Sequence, residues 1–285
     1  MCSTAHKAQS SASVEVRGRD LLHVWASFAR PDTLAHGSLR ISHFRGRERI
    51  VNDATRHIKS AAAHPSVAAD LFIGIFIEKC HNVLMTKSEQ MHIIHEEIEV
   101  LKESPLYDYR TQNKLFPVIG EGSYDAAIMF VGEAPGRNEA KTGKPFCGAA
   151  GKVLNKLLEH INTPRESVYI TNIVKDRPPE NRDPTKEEIQ IYGPFLDRQI
   201  EIIKPKIIVA LGRYSMGYIM EKFGLHSHLA PIGQLHGKSF EAKTNYGSIN
   251  VVIQYHPCMG VYNPNNIPNL KKDMEILKKI TKQYE

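Results

Sequence analysis

The sequence predicts an α/β fold: a three-layer α/β/α sandwich around a central parallel four-stranded sheet. Three observations carry this. Short apolar runs alternate with longer segments of helical periodicity, the pattern of a parallel sheet with right-handed helical crossovers. Each apolar run is too short for a helix and is followed by glycine or a polar residue. Helix start and stop signals fall between the runs.

Residues 92–101 read as an amphipathic helix through Ile93, Ile94, Ile98 and Leu101. Residues 126–131 are a buried strand followed by a glycine-rich turn. Residues 148–161 place Val153, Leu154, Leu157, Leu158 and Ile161 on one helical face, and 167–174 form the second strand. Thr185 and Glu188 make a capping box behind Pro184, opening a helix that turns Ile189, Phe195, Leu196, Ile200 and Ile203 inward and stops at Pro205. Residues 206–212 are the third strand, and 214–223 a helix ended by Gly224. A small excursion or hairpin separates it from the fourth strand, 249–256. Residues 269–284 form the closing helix, with Met274, Leu277 and Ile280 inward.

The 285 residues carry a formal charge of +6, and this mild basicity fits a polyanionic partner. The four cysteines, Cys2, Cys80, Cys147 and Cys258, form no Cys-x-x-Cys pair, which suits a reducing compartment and an intracellular protein. Cys147 and Cys258 read as small apolar fillers beside the glycine-rich segments. His92 and His95 share a helix face but read as solvated, so no metal site is expected. No apolar run approaches the ~20 residues needed to cross a bilayer; residues 71–77 are too few. Residues 1–84 lack steady periodicity and begin poor in acids, as in a poorly structured extension or an organelle-targeting segment. Residues 85–285 read as the domain.

A parallel sheet presents all its strand C-termini on one edge, where open α/β sheets bind ligands. Here those ends deliver Glu133, then Asn172, then Gly212 and Arg213, then His256-Pro257. An asparagine amide offers a donor and an acceptor side by side, matching a nucleobase edge or an amide. Phe146 offers a flat stacking face. His256 can donate a hydrogen bond to a developing anion. Nothing in this set suggests a covalent nucleophile. A phosphate-binding loop at Gly151-Lys152 fails on spacing.

From about residue 104 to 280 the chain resembles the family-4 uracil-DNA glycosylases. The resemblance rests on Gly132-Glu133-Ala134-Pro135-Gly136 with Glu139, Gly143-Lys144-Pro145-Phe146, Gly148 with Ala150-Gly151, and Tyr169 to Lys175. It extends through Arg177-Pro178-Pro179 with Asn181-Arg182, Ala210-Leu211-Gly212 and His256-Pro257, and includes Pro105-Leu106 and Arg110-Thr111. It implies base excision repair of single- or double-stranded DNA by a monomer that flips out deoxyuridine and hydrolyses its N-glycosidic bond; the alternatives are a catalytically weak DNA- or nucleotide-binding member of the superfamily and a glycosylase for another deaminated base. It implies that Asn172 reads the base edge, Phe146 stacks on the ring with Gly132 and Ala134 beside it, and Glu139 excludes a thymine methyl. His256 would donate to uracil O2. Glu133 is the nearest candidate to orient water, or else a brace for its loop. Lys175, Arg177 and Arg182 are expected along DNA phosphates, with Met259 or Val261 filling the vacated stack.

The resemblance also exposes a departure. Family-4 enzymes usually hold an iron–sulfur cluster on four cysteines, whose places here are taken by Leu101, Ser104, Asp176 and Tyr192. None is a thiolate, so no cluster is expected.

Overall fold

A computed structural model describes residues 85–282; the expected extension, Cys2, Cys80 and residues 71–77 lie outside the described residues. The strands are β1 (Glu121–Gly122), β2 (Ile128–Gly132), β3 (Tyr169–Asn172), β4 (Ile207–Leu211), β5 (Ser239–Thr244) and β6 (Gly247–Gln254). The helices are α1 (Lys87–Glu99), α2 (Tyr107–Gln112), α3 (Arg137–Thr142), α4 (Ala149–His160), α5 (Lys186–Ile203), α6 (Arg213–Lys222), α7 (Ile232–Leu235), α8 (Cys258–Tyr262) and α9 (Ile267–Thr281).

One sheet runs in the order β1-β3-β2-β4-β6-β5. The four expected strands are its parallel centre, in register at Val131 with Thr171, Val131 with Ala210 and Ala210 with Ile253. The expected four-stranded sheet is corrected to six: β1 and β5 add antiparallel edges, β5 in a hairpin with β6. Neither edge is plain in the sequence, because β1 is two residues long and β5 buries only Ala242.

Residues alternate faces along each strand, which makes the layers. Met129, Val131, Ile208, Ala210, Val251 and Ile253 face α1, α5 and α6. Phe130, Ile170, Val209 and Val252 face α4 and α9. Helix starts follow local chemistry: Thr185 with Glu188 closes a reciprocal capping box on α5. A second box, Thr86 with Glu89, starts α1 at Lys87, a turn ahead of the expected position.

The chain leaves β2 toward β3 on one side, then returns past β2 to β4 and on to β6. Connections thus diverge between β2 and β4, and the crevice at their C-terminal ends is the topological switch point. Gly132-Glu133 and Gly212-Arg213 stand there. Among the described residues no helix is long and apolar enough to cross a membrane.

Candidate active site

The candidate site is built around Gly132, the last residue of the fully buried β2. A Cβ placed on Gly132 would stand 2.3 Å from Asn172 Oδ1 and 2.8 Å from Phe146 Cζ. The Asn172 amide and the Phe146 ring therefore meet over one glycine, although 26 positions separate them in the chain. Phe146 and His256 lie with ring centroids 5.6 Å apart, tilted by 33°. Phe146 is thus a neighbour of both Asn172 and His256, the other two groups that the sequence assigns to one small heterocycle.

Each group is held by its own local device. Phe146 is buried in a left-handed backbone conformation (φ 47°), which disfavours a side chain by about 1–3 kcal/mol and persists only where the surroundings impose it. The imposing neighbour is α4: a Cβ on Gly151 would lie 1.7 Å from the Phe146 carbonyl oxygen, so only glycine lets that helix close on the loop. Asn172 is 2% exposed, and no group among the described residues hydrogen-bonds its side-chain amide. The amide therefore keeps its donor and acceptor for a ligand.

His256 follows β6, and its Nδ1 accepts the Cys258 backbone N–H at 3.2 Å. That donor cannot reverse, so the ring proton of the neutral form sits on Nε2. Burial pushes the imidazolium down to about 4. At neutral pH the cleft therefore holds a neutral imidazole with one N–H to give.

Glu133 is half-buried. Its carboxyl is pushed up to about 7, first by burial and then by the nearby Asp183 carboxylate, against the opposing Arg213 guanidinium. Ala134 is half-buried beside it and packs on the core. Glu139 is tied down: its Oε1 accepts the Gly148 N–H at 2.9 Å, at the start of α4.

The expected phosphate contacts need correction. Lys175 is fully buried, its Nζ donating to Thr171 Oγ1, the Asn172 carbonyl and Gln199 Oε1. Arg177 is also buried, with Nε on Asn181 Oδ1 and an Nη on Tyr109 Oη. Neither cation can reach a phosphate in this arrangement. Arg182 is partly exposed but grips the buried Glu188 with two hydrogen bonds of 2.9 and 2.6 Å. Exposed cations do occur in the segments that follow the strand ends, at Arg137, Lys144, Lys152 and Arg213, the last paired with Asp183. Their place beside the glycine-rich segments is the signal the sequence offers for them.

Of the two expected wedge residues, Met259 is half-buried and Val261 is 41% exposed; the neighbouring Tyr262, not singled out from the sequence, is 85% exposed. Cys147 is exposed, not the expected apolar filler, and Cys258 is half-buried.

The positions where the resemblance would place cluster cysteines do not fit a cluster: Leu101 is half-buried and apolar, and the other three form a polar group with Arg110. Tyr192 Oη donates to Ser104 Oγ or Asp176 Oδ2, at 2.8 and 2.7 Å. Arg110 Nε lies 3.1 Å from Asp176 Oδ2, an ion pair whose angle falls outside hydrogen-bond geometry. Ser104, Asp176, Tyr192 and Arg110 are all buried, so oxygen and guanidinium groups packed against one another fill the space. Burial pushes the Asp176 carboxyl up to about 6, against the Tyr192 hydrogen bond and the Arg110 charge. Iron–sulfur clusters need thiolates, and none is present here.

Comparison with known proteins gives the family. The family model of the uracil DNA glycosylase superfamily matches residues 119–280. The type-4 uracil-DNA glycosylase of Sulfurisphaera tokodaii is 45% identical over 193 residues, covering 67% of this chain and 85% of the relative. That of Thermotoga maritima is 46% identical over 138 residues, covering 48% and 70%. A type-5 uracil-DNA glycosylase of Pyrobaculum aerophilum is 29% identical over 182 residues, covering 59% and 74%. With the matched segment spanning every strand of the parallel sheet and each cleft residue discussed above, the chain belongs to the uracil DNA glycosylase superfamily.

Proposed function

We propose that this protein excises uracil from DNA by hydrolysing the N-glycosidic bond, as a monomer inside the cell. The observation that supports this best is that the Phe146 ring meets the Asn172 amide over Gly132 and lies beside the His256 imidazole, which in turn packs against Gly212. A base inside a duplex cannot reach that cleft, so the nucleotide must first swing out, at about a few kcal/mol. The extruded ring stacks on Phe146. The Asn172 amide supplies a donor and an acceptor to uracil O4 and N3–H; cytosine presents the reversed pattern there. A mismatched buried hydrogen bond costs about 1–3 kcal/mol.

As the C1′–N1 bond lengthens, electrons move onto the pyrimidine and its O2 becomes anionic. The His256 Nε2–H is aimed to meet that charge. A neutral imidazole suits this role, because it donates without first having to hold a buried positive charge. The sugar becomes cationic, and water attacks C1′. In this reading Glu133 orients that water and accepts its proton. Val261 and Tyr262, exposed just beyond His256-Pro257, fill the stack that the base leaves. Arg137, Lys144 and Lys152 contribute to phosphate binding, for which each contact adds salt dependence.

The direct test is release of free uracil, with alkali-labile abasic sites, from single- and double-stranded uracil oligonucleotides. Absence of both products with folded protein overturns the reading. A second expectation concerns Glu133. A base must be ionised, so with a carboxyl near 7 the single-turnover rate should rise about tenfold per pH unit below 7 and level off above it. Glu133→Gln should lower the plateau and erase that acid limb. A flat wild-type profile would instead assign Glu133 to bracing its loop.

We infer also that the protein carries no iron–sulfur cluster. The buried Ser104, Asp176, Tyr192 and Arg110 group supports this, since it offers no thiolate. Iron and acid-labile sulfide in anaerobically purified protein should be far below stoichiometric; one full cluster per chain would refute it.

A further inference from the structure

Lys175 is a lysine with no access to solvent, placed directly behind the residue that faces the base. Its three partners come from β3 and α5: Thr171 Oγ1 at 2.8 Å, the Asn172 carbonyl oxygen at 2.6 Å and Gln199 Oε1 at 2.6 Å. None is a carboxylate. Thr171 spends its own proton on the Ile119 carbonyl at 2.6 Å, leaving its oxygen free to accept. Gln199 is oriented by its other end, whose Nε2 donates to the Ile119 carbonyl at 2.9 Å and to Tyr169 Oη at 3.2 Å.

Three fixed acceptors around one nitrogen match an ammonium, which has three N–H groups, and not a neutral amine, which has two. Burial pushes the Lys175 ammonium well below the usual lysine range; the three acceptors around Nζ are the geometry that suits the charged form. A buried charge is a poor device for stability alone, because desolvation consumes much of what its partners return. Its position suggests another use.

The peptide plane after Asn172 is gripped on both sides. Its carbonyl accepts from Lys175, and its N–H, that of Ile173, donates to the Gly132 carbonyl at 3.1 Å. The next N–H, of Val174, donates to the Glu133 carbonyl at 3.0 Å. The strand end that carries the Asn172 amide is thereby locked to the strand end that carries Gly132 and Glu133. Without Lys175 the Asn172 carbonyl loses its short hydrogen bond of 2.6 Å, which loosens that side of the lock.

We propose that Lys175 is a positioning residue for uracil excision: its buried ammonium fixes the Asn172 backbone, so that the unpaired side-chain amide is already aimed at the extruded base. This role rests on the uracil-excision reading above and deepens it by assigning the support of the base-reading group.

Lys175→Met keeps the length and removes the charge and all three donors. Single-turnover excision at saturating uracil DNA should fall about 10²-fold, the scale expected when a group is misaimed by an ångström. Affinity for an oligonucleotide carrying a tetrahydrofuran abasic analogue should stay within about threefold, because that ligand has no base for Asn172 to meet. A merely structural role would move both readings together. An unchanged excision rate in folded Lys175→Met, with wild type active, overturns this proposal alone; an inactive wild type removes the uracil reading itself. Parallel losses of rate and abasic-site affinity also overturn it. If Lys175→Met fails to unfold cooperatively, Thr171→Val removes one of the three acceptors, together with the hydroxyl's own bond to the Ile119 carbonyl. It should slow excision about tenfold, as expected for one hydrogen bond to a charged group, with the same abasic affinity. An unchanged rate in that variant overturns the proposal as well.

Discussion

His256→Ala is expected to slow single-turnover uracil excision by about 10²–10³-fold, the effect of losing one preorganised donor to a developing oxyanion. The imidazole stands beside the Phe146 ring, and the Cys258 N–H fixes which nitrogen holds the proton. The donor therefore needs no rearrangement when charge reaches the leaving base. Ground-state binding should change much less, because neutral uracil O2 is a weaker acceptor than the departing anion. The pH behaviour supplies a separate check. With its imidazolium pushed down to about 4, His256 is already neutral in mildly acidic solution and stays so as the pH rises. Its removal should lower the wild-type pH–rate curve around neutrality without changing the curve's shape. A His256→Ala rate within about threefold of wild type, measured under single-turnover conditions, would remove His256 from the chemistry.

The sheet is legible in the sequence because its signals are local. Phe130, Val209 and Val252 sit in apolar runs that only a buried parallel strand accommodates, and Thr185 with Glu188 announces α5 by side-chain chemistry alone. The cleft is legible for a related reason: the C-terminal ends of parallel strands share an edge, so Asn172 and His256 are bound to approach once their strands are recognised. What escapes is decided by partners far away in the chain. Nothing near Lys175 announces burial, because its sheltering acceptor, Gln199, lies 24 positions on in α5. Ser104 and Tyr192 are 88 positions apart, and each alone reads as an ordinary polar residue. Cations on loops default to solvent or phosphate when only the sequence is considered, yet Arg177 and Arg182 serve to fasten their own loop to Tyr109 and Glu188.

Gly132→Ala carries the second large expectation, and it tests the shape of the cleft instead of its hydrogen bonding. The added methyl would stand 2.3 Å from Asn172 Oδ1 and 2.8 Å from Phe146 Cζ, closer than carbon can approach either. Something must yield. β2 cannot, because it is buried between β3 and β4 and paired to both. Phe146 is pinned by α4 closing on its carbonyl. No hydrogen bond among the described residues holds the Asn172 side chain, so it should rotate away and take the base-reading amide with it. Overpacking of this kind costs about 1–3 kcal/mol in stability, which leaves a folded protein. Excision, however, should fall by at least about 10²-fold, since the amide and ring no longer share one ligand. The mechanism of loss can be separated from general damage with a double-mutant cycle. If the methyl acts by displacing Asn172, then Gly132→Ala should add little to Asn172→Ala, and the two effects will be strongly non-additive. Full additivity, or a Gly132→Ala enzyme at the wild-type rate, would mean that Asn172 and Phe146 do not meet over Gly132 when the base is bound.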